Sequence, residues 1–264
     1  MTRQWRLIDS GPCSAPYNMA LDEAIALSVR KDDAPPTLRF YGWDRPSLSL
    51  GCFQKSADLD LAYCRRNSIP VVRRPTGGRA ILHGDELTYS FSVRTDQAPF
   101  AKGLLESYRS ISIAFSLAFR KIGLIVASKK QKEKGRVLAR SPLCFQSSSY
   151  GEILIAGRKI VGSAQKRWKD GLLQQGSIPY AYDTETMRRV FDLEGSLQDH
   201  DGMAALRYVM PDFDEARLKN TIIAAFGEVF GISLPASHPS PDESRLAREL
   251  EGQKYRQESW NLRL

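Results

Sequence analysis

The stretch RRPTGGRAILHGDELTYS, residues 73–90, places charged and titratable side chains around a Gly-Gly pair, which has no side chains. Gly77 and Gly78 can adopt positive φ and can let a ligand approach the main chain closely. Three cations flank this turn, and a phosphate or a polarised carbonyl is the kind of group that they could bind. They are Arg73, Arg74 and Arg79. Spacing alone leaves an alternative open, namely a hairpin turn with solvated arginines.

Two further residues are candidates for proton transfer and nucleophilic attack. His83 could act as a general base, although a hydrogen-bonded structural histidine fits its position equally well. Cys144, in SPLCFQSSSYGE, becomes a nucleophile if nearby cations lower its thiol pKa, and Arg158 and Lys159 follow on the next predicted hairpin. An unreactive, buried thiol is the commoner state of a single cysteine, so both interpretations stand.

Several common sites have no pattern in this sequence. Neither GxGxxG nor GxxxxGK[ST] occurs, which removes support for the two best-known nucleotide-binding loops. The four cysteines lie far apart and form no CxxC, so no metal site is predicted.

Charge and hydropathy limit the class of protein and its partners. The 264 residues carry a formal net charge of +8, which favours an acidic partner, either nucleic acid or a small acidic protein. The basic run at 129–136 is either a solvated loop or a docking surface for such a partner. No signal core and no run of roughly 18 apolar residues occurs, so a cytoplasmic protein with reduced thiols is expected.

The periodicity of apolar residues indicates an α+β domain. Helical spacing predicts helices at YNMALDEAIALSVR and KGLLESYRSISIAFSLAFRKIG. Strands are predicted at PTLRFYGW, PVVRRP and ELTYSFSV, and the last two should pair across the Gly-Gly turn. GEILIAGRKIVGSAQ should form a hairpin that turns at Gly157 and Arg158. Strands in two groups around a long helix favour a largely antiparallel sheet.

The motifs taken together resemble the biotin/lipoate protein ligase family. RRPTGGRAILHGDELTYS is followed by GRKIVGSAQKRWKDGLLQQGS, and the likeness extends to WRLIDSGPCSAPYNMALDEAI, PTLRFYGWDRPSLSLGCFQK, LCFQSSSYGE and KYRQESWNLRL. These stretches cover almost the whole chain in the family's order. Within the family, the nearest likeness is to the octanoyltransferases of the LipM type.

The resemblance implies a fold and a domain organisation. The expected fold is a catalytic domain of the class II synthetase and biotin protein ligase type, with a mixed, largely antiparallel sheet flanked by helices. Residues 1–264 should form one such domain, with 212–264 as a candidate C-terminal helical extension.

The resemblance also implies a reaction. An octanoyl group would move from acyl carrier protein to a lysine of a lipoyl-accepting protein, either the glycine-cleavage H protein or an E2 lipoyl domain. Cys144 occupies the place of the nucleophile in LipM-type members, and Lys159 that of the lysine that orients and stabilises the reacting carbonyl. Because thioester-to-amide transfer is downhill, no ATP, metal or other cofactor is expected. The family implies neither a nucleic acid nor a membrane partner.

A larger set of residues would bind the substrate. In the family, the RRPTGG segment lines the acyl and carrier-arm site, and N–H groups of the small-residue GSA run are candidates for oxyanion contacts. The implied binding residues are Arg73, Arg74, Thr76, Gly77, Gly78, Arg79, His83, Gly162, Ser163 and Ala164. The family usually has His-Gly where this chain has Gln175-Gly176, which leaves the role of that strand open.

Three alternative functions are consistent with the same motifs. They are an ATP-dependent lipoate–protein ligase, a biotin protein ligase and a non-catalytic protein that binds lipoyl carriers. The ligases commonly show a third glycine where this chain has Arg79, which favours a transferase. A requirement for ATP and indifference to the loss of Cys144 would identify a ligase.

Overall fold

The computed structural model describes residues 3–128, 153–193 and 203–264, and its largest element is a six-stranded mixed sheet. Strands are numbered along the chain. In spatial order they are β11 (Gly162–Arg167), β12 (Gly171–Pro179), β7 (Glu86–Arg94), β3 (Thr37–Trp43), β2 (Arg6–Cys13) and β14 (Ala236–Ser237). The three pairings from β11 to β3 are antiparallel, and the two from β3 to β14 are parallel. The predicted mixed, largely antiparallel sheet is therefore confirmed.

Smaller sheets complete the described strands. One consists of β5 (Val71–Arg73), β4 (Ser47–Leu50) and β6 (Ile81–His83), and another of β10 (Arg158–Lys159), β9 (Ile153–Ile155) and β8 (Val126–Ser128). A short parallel pair joins β1 (Arg3–Gln4) to β13 (Ile232–Ser233).

The pairing predicted across the Gly-Gly turn is wrong. β5 runs parallel to β4, whereas β7 lies between β3 and β12 in the large sheet. Alternation identified both strands but not their partners, because the apolar residues of β7 are buried in the core of the large sheet. The 156–157 hairpin also turns one residue earlier than predicted, with positive φ at Ala156 and Gly157.

Helices flank the sheet, and both predicted long helices are confirmed. They are α1 (Ala15–Arg30), α2 (Leu61–Arg66), α3 (Leu104–Lys121), α4 (Thr184–Val190), α5 (Leu206–Val209), α6 (Glu215–Phe230), α7 (Pro241–Leu250) and α8 (Glu258–Asn261), with a π-helical turn at Glu251–Tyr255. Local chemistry fixes several ends. Ser14 caps α1, Asp214 caps α6, and Ser240 with Glu243 forms a capping box at α7.

The two faces of the large sheet have different chemistry. Tyr89 and Phe91 of β7 point into an aromatic cluster with Phe115 of α3 and Phe226 of α6. The alternate residue, Ser90, instead donates to a carboxylate on α1. The aromatic face therefore supplies most of the core, and the α1 face carries polar side chains that can form a site.

The C-terminal elements pack back onto the same α1 face. Lys254 donates to both carboxylate oxygens of Glu23, at 2.9 and 2.7 Å, and β14 extends the large sheet next to β2. The boundary expected at residue 212 stays a prediction. No helix in the described ranges is long and apolar enough to cross a membrane.

Candidate active site

Arg73 holds the loops on either side of the Gly-Gly turn. Its side chain is fully buried, and Nη1 donates to the carbonyls of Gly51 and Gln54 at 2.8 and 2.6 Å. Its Nε donates to the Asn261 carbonyl at 3.1 Å, and its main-chain N–H donates to Asn261 Oδ1 at 2.9 Å. The guanidinium thus connects a loop after β4 to the C-terminal segment.

Arg74 closes the turn itself. Its Nη2 donates to the carbonyls of Gly77 at 2.8 Å and Arg79 at 2.6 Å, and its Nη1 donates to the Ser49 carbonyl at 3.0 Å. Because Arg73 and Arg74 are both buried, the alternative of a turn with solvated arginines is wrong for these two. Arg79 is half-buried.

Two glycines are required where main chains meet at this turn. Gly78 has φ of +84°, and a Cβ there would lie 2.9 Å from Arg74 Nη2. A Cβ at Gly51 would lie only 1.8 Å from the Gly78 carbonyl oxygen. The turn therefore keeps its position only while residue 51 lacks a side chain.

A buried hydrogen-bond chain connects the turn to the centre of the sheet. Thr76 Oγ1 donates to Gln175 Oε1 at 2.8 Å, and Gln175 Nε2 donates to Asp22 Oδ2 at 2.7 Å. Because a carboxylate only accepts, the amide nitrogen must face Asp22 and the amide oxygen must face Thr76. The residue that replaces the family's usual histidine thus links α1 to the turn.

Asp22 is the centre of this network. Both oxygens are used, since Oδ1 accepts from Arg39 Nη1 at 2.7 Å and Ser90 Oγ at 2.6 Å, and Oδ2 also accepts from Tyr41 at 2.8 Å. The side chains of Asp22 and Arg39 are fully buried as an ion pair. Burial, and then the charge of Asp22, raise the pKa of Tyr41 well above its ordinary value, so its hydroxyl remains a donor.

We expect Thr76 and Gln175 to be energetically coupled. Thr76→Val leaves the Gln175 oxygen without its donor, whereas Thr76→Val with Gln175→Met removes both partners. Urea unfolding of the single and double variants should give a coupling of roughly 0.5–3 kcal/mol. Thr221→Val combined with Gln175→Met is the control and should be additive, because the exposed Thr221 hydroxyl bonds only within α6. Additive effects for Thr76 and Gln175 would contradict the link.

His83 lies between a hydroxyl and a carboxylate. Its Nε2 is 2.7 Å from Ser49 Oγ, and its Nδ1 is 2.8 Å from Glu86 Oε1. The imidazole also stacks on the indole of Trp43, with ring centroids 4.0 Å apart. The ring is therefore held in one orientation from three sides.

Glu86 is ionised in this arrangement. Burial opposes its ionisation, but His83 and the Thr88 hydroxyl bond outweigh that effect, and the pKa of Glu86 is lowered. Since the carboxylate only accepts, His83 Nδ1 carries the hydrogen, and in the neutral ring Nε2 accepts from Ser49.

Two adjoining spaces meet at His83. A narrow crevice of about 20 Å³ is lined by four of the predicted residues, Arg74, His83, Ser163 and Ala164. A larger cavity of about 310 Å³ adjoins the crevice, and Ile81 and His83 line both spaces. The structure therefore gathers Arg74, His83 and two residues of the GSA run around one crevice.

Lys159 and the Gly162–Ala164 run lie on consecutive strands. Lys159 is buried in β10, and its carbonyl accepts from the Ala204 N–H at 2.8 Å. Ser163 Oγ is 2.7 Å from the Tyr89 hydroxyl, and the Ala164 methyl lies 3.5 Å from where a Cβ on Gly78 would be. The predicted oxyanion segment thus faces the Gly-Gly turn.

Cys144 and the basic run at 129–136 lie outside the described residues. The contact between Cys144 and Lys159 accordingly stays a prediction. The other cysteines are unpaired thiols, and burial, then Asp60, raise the pKa of Cys64 to about 11, which disfavours a thiolate there. No group of three or more metal-binding side chains occurs in the part of the chain that the structure describes.

Sequence reasoning missed Asp22, Ser49 and Glu86. One signal was available for Asp22, because an acidic residue three positions after Met19 falls in the apolar stripe of α1. Ser49 and Glu86 gave no such signal, since each takes its role from a partner on another strand.

Comparison with known proteins identifies the family. The family described as the lipoyl protein ligase A/B catalytic domain matches residues 14–227, most of the chain. The chain belongs to this family. Two curated relatives are the octanoyltransferases LipM of Carboxydothermus hydrogenoformans and Geobacillus kaustophilus. They are 38% and 36% identical to this chain, and each alignment covers 98% of this chain and 98% of the relative.

Solved structures of the family share this fold. A putative lipoate protein ligase from T. acidophilum with bound lipoic acid superposes with a TM-score of 0.81 at 26% identity, covering 99% of this chain and 100% of that one. A lipoate-protein ligase A bound with ATP gives 0.81 at 26% identity, covering 98% of both chains. The expected fold class, an α+β catalytic domain of the lipoate ligase type, is therefore confirmed for this chain.

Proposed function

We propose that the crevice beside His83 is the place where an octanoyl thioester reacts, with Cys144 as the nucleophile. The protein is an acyltransferase, an octanoyltransferase of lipoate biosynthesis. The observation that carries the proposed location is the meeting of Arg74 and His83 with Ser163 and Ala164 around one crevice. It brings the arginine-containing motif and the predicted oxyanion segment to one narrow space.

The proposed reaction has two halves. The Cys144 thiolate attacks the octanoyl thioester of acyl carrier protein, the octanoyl group forms a thioester with Cys144, and the carrier thiol leaves. The ε-amine of the acceptor lysine then attacks this octanoyl-enzyme, an amide forms, and the Cys144 thiol is regenerated. The first half exchanges one thioester for another and the second forms an amide, so neither half needs ATP.

The described residues divide into two roles. Lys159 is proposed to stabilise the reacting carbonyl, and N–H groups from Gly162 to Ala164 to contact the developing oxyanion. Arg73 and Arg74 are proposed to act through the turn, since several of their donors contact main-chain carbonyls. Among the described residues, Arg73 Nη2 is buried without a hydrogen-bond partner. Substrate contacts by Thr76 and the two turn glycines stay predictions, since Arg74 and His83 are the predicted residues of this motif that line the crevice.

The partners follow from the same proposal. The donor is octanoyl-acyl carrier protein, and the acceptor is the glycine-cleavage H protein or an E2 lipoyl domain, in the cytoplasm. The net charge of +8 favours encounter with acidic carriers. Binding of the seven carbons beyond the carbonyl contributes roughly 5–6 kcal/mol, at about 0.8 kcal/mol for each buried carbon.

Intact-mass spectrometry without ATP tests this function. Wild-type protein mixed with octanoyl-acyl carrier protein should gain one octanoyl group that hydroxylamine removes, and Cys144→Ser should gain none. Cys64→Ser is the matched control and should be acylated as wild type is, because Cys64 is buried. Transfer that appears only with ATP and free octanoate or lipoate, and that survives Cys144→Ser, would instead indicate a lipoate–protein ligase.

A further inference from the structure

Ser49, His83 and Glu86 stand in the order of a hydroxyl, a base and an orienting carboxylate. The two linking distances are 2.7 Å between Ser49 Oγ and His83 Nε2, and 2.8 Å between His83 Nδ1 and Glu86 Oε1. This order is the geometric mark of proton-transfer machinery, which is recognised by roles and distances and not by position in the chain. The proposed reaction has so far given these three residues no role.

The direction of the hydrogen bonds suits removal of a proton from the crevice. Glu86 Oε1 also accepts from Thr88 and, at 3.3 Å, from Trp43 Nε1, so the carboxylate is held as an acceptor. His83 Nδ1 must therefore donate to Glu86, which leaves the Nε2 lone pair facing the Ser49 hydroxyl. The imidazole can take up a proton at Nε2 without moving, and Glu86 stabilises the resulting cation.

Ser49 connects the imidazole to the crevice. It lines the crevice together with Ser163 and Ala164, and Arg74 Nη1 donates to its Oγ at 3.0 Å. The positive charge of Arg74 favours transfer of the Ser49 proton to His83, because it stabilises the oxygen that loses it. The hydroxyl can then accept a proton from a group bound in the crevice.

We propose that Ser49, His83 and Glu86 form a relay that removes the proton from the acceptor lysine when its amine attacks the octanoyl-enzyme. The proposal rests on the proposed function. As the new C–N bond forms, one N–H proton moves to Ser49 Oγ while the Ser49 proton moves to His83 Nε2. The C–S bond then breaks and Cys144 leaves as a thiolate, and the imidazolium returns the proton to that thiolate or to water. Ser49 is the catalytic residue of the relay, and His83 and Glu86 act through it.

The larger cavity offers the relay a route to solvent. His83 lines this cavity of about 310 Å³ as well as the crevice, so the residue adjoins both spaces. The charged groups around the ring are Glu86 and Arg74, together with Asp85 and Asp183 on the cavity wall.

Single-turnover kinetics on full-length protein separate the two half-reactions. Ser49→Ala and His83→Gln should slow transfer from the octanoyl-enzyme to the acceptor about 100-fold or more, while enzyme acylation by the donor proceeds. Ser47→Ala is the matched control, since this buried hydroxyl lies on the same strand and, within the described ranges, donates to the Arg45 carbonyl at 2.9 Å. It should leave both half-reactions unchanged.

The pH profile of the second half-reaction separates proton transfer from a purely structural role of His83 and Glu86, because a structural role would not change the position of an inflection. The relay needs neutral His83 and the attack needs a neutral acceptor amine, so the rate should rise with pH through two inflections, of which the lower reports the relay. Glu86→Gln keeps an acceptor for Nδ1 but removes the charge that favours the imidazolium, so the lower inflection should move to lower pH. An unmoved lower inflection, or equal losses in both half-reactions for Ser49→Ala, would overturn the relay and leave octanoyl transfer standing. Absence of any octanoyl-enzyme in wild type would overturn the proposed function and the relay with it.

Discussion

Replacement of Asp22 with alanine should lower the free energy of unfolding by about 3–5 kcal/mol, because it leaves the fully buried guanidinium of Arg39 without its partner. The change also removes the acceptor of Tyr41, Ser90 and Gln175, which are buried donors. Urea-induced unfolding followed by circular dichroism measures this difference.

The control for Asp22→Ala is an exposed ion pair of the same type. Asp170 pairs with Arg30 Nε at 2.8 Å at the surface, so Asp170→Ala should change stability far less. Equal losses for the two variants would mean that the buried network contributes nothing beyond an ordinary ion pair. Asp22→Ala should also release Gln175, so the Asp22→Ala variant that folds should transfer octanoyl groups more slowly than wild type.

Substitution of Gly51 by alanine should reduce octanoyl transfer by about 100-fold, as expected when catalytic parts are displaced by about 1 Å. The new Cβ would lie 1.8 Å from the Gly78 carbonyl oxygen, so the Gly77–Gly78 turn must move away. The clash is with main chain, which cannot rotate aside as a long side chain would. A stability loss of roughly 1–3 kcal/mol should accompany the change, as for overpacking elsewhere.

Gly42→Ala on β3 is the control for Gly51→Ala. A Cβ at Gly42 would be 3.7 Å from the nearest atom, Cα of Pro12, which is ordinary contact. Both variants add one methyl group to a buried or half-buried glycine, so only the position differs. Steady-state octanoyl transfer by folded Gly51→Ala at the wild-type rate would contradict the argument that residue 51 positions the turn.

The arginines of the turn show what could and could not be predicted from the sequence. The cluster of cations around two glycines correctly marked the turn as unusual, but it did not show what the cations contact. Arg73 and Arg74 are buried, and several of their donors contact the carbonyls of Gly51, Gln54 and Gly77. A sequence cannot separate an arginine that faces a ligand from one that holds a loop, because both need the same residue type.

Gln175 is a second residue whose role could not be predicted from the sequence. Its departure from the family's usual histidine was visible in the sequence, but its meaning was not. The residue bonds Asp22, which is 153 positions away in the chain, and Thr76, which is 99 positions away. An amide and a neutral imidazole each have both a donor and an acceptor, so the same link can be made by either side chain.

The sequence by itself determined the two long helices, several of the strands and the family. Apolar periodicity is a local property, and α1 and α3 follow from it, as do β3 and β7. The tertiary structure alone decided which strands pair, that β5 joins β4 and not β7, and that Ser49, His83 and Glu86 meet. These contacts depend on how whole layers pack, and residues far apart in the chain carry no local signal of the partner that packing will bring.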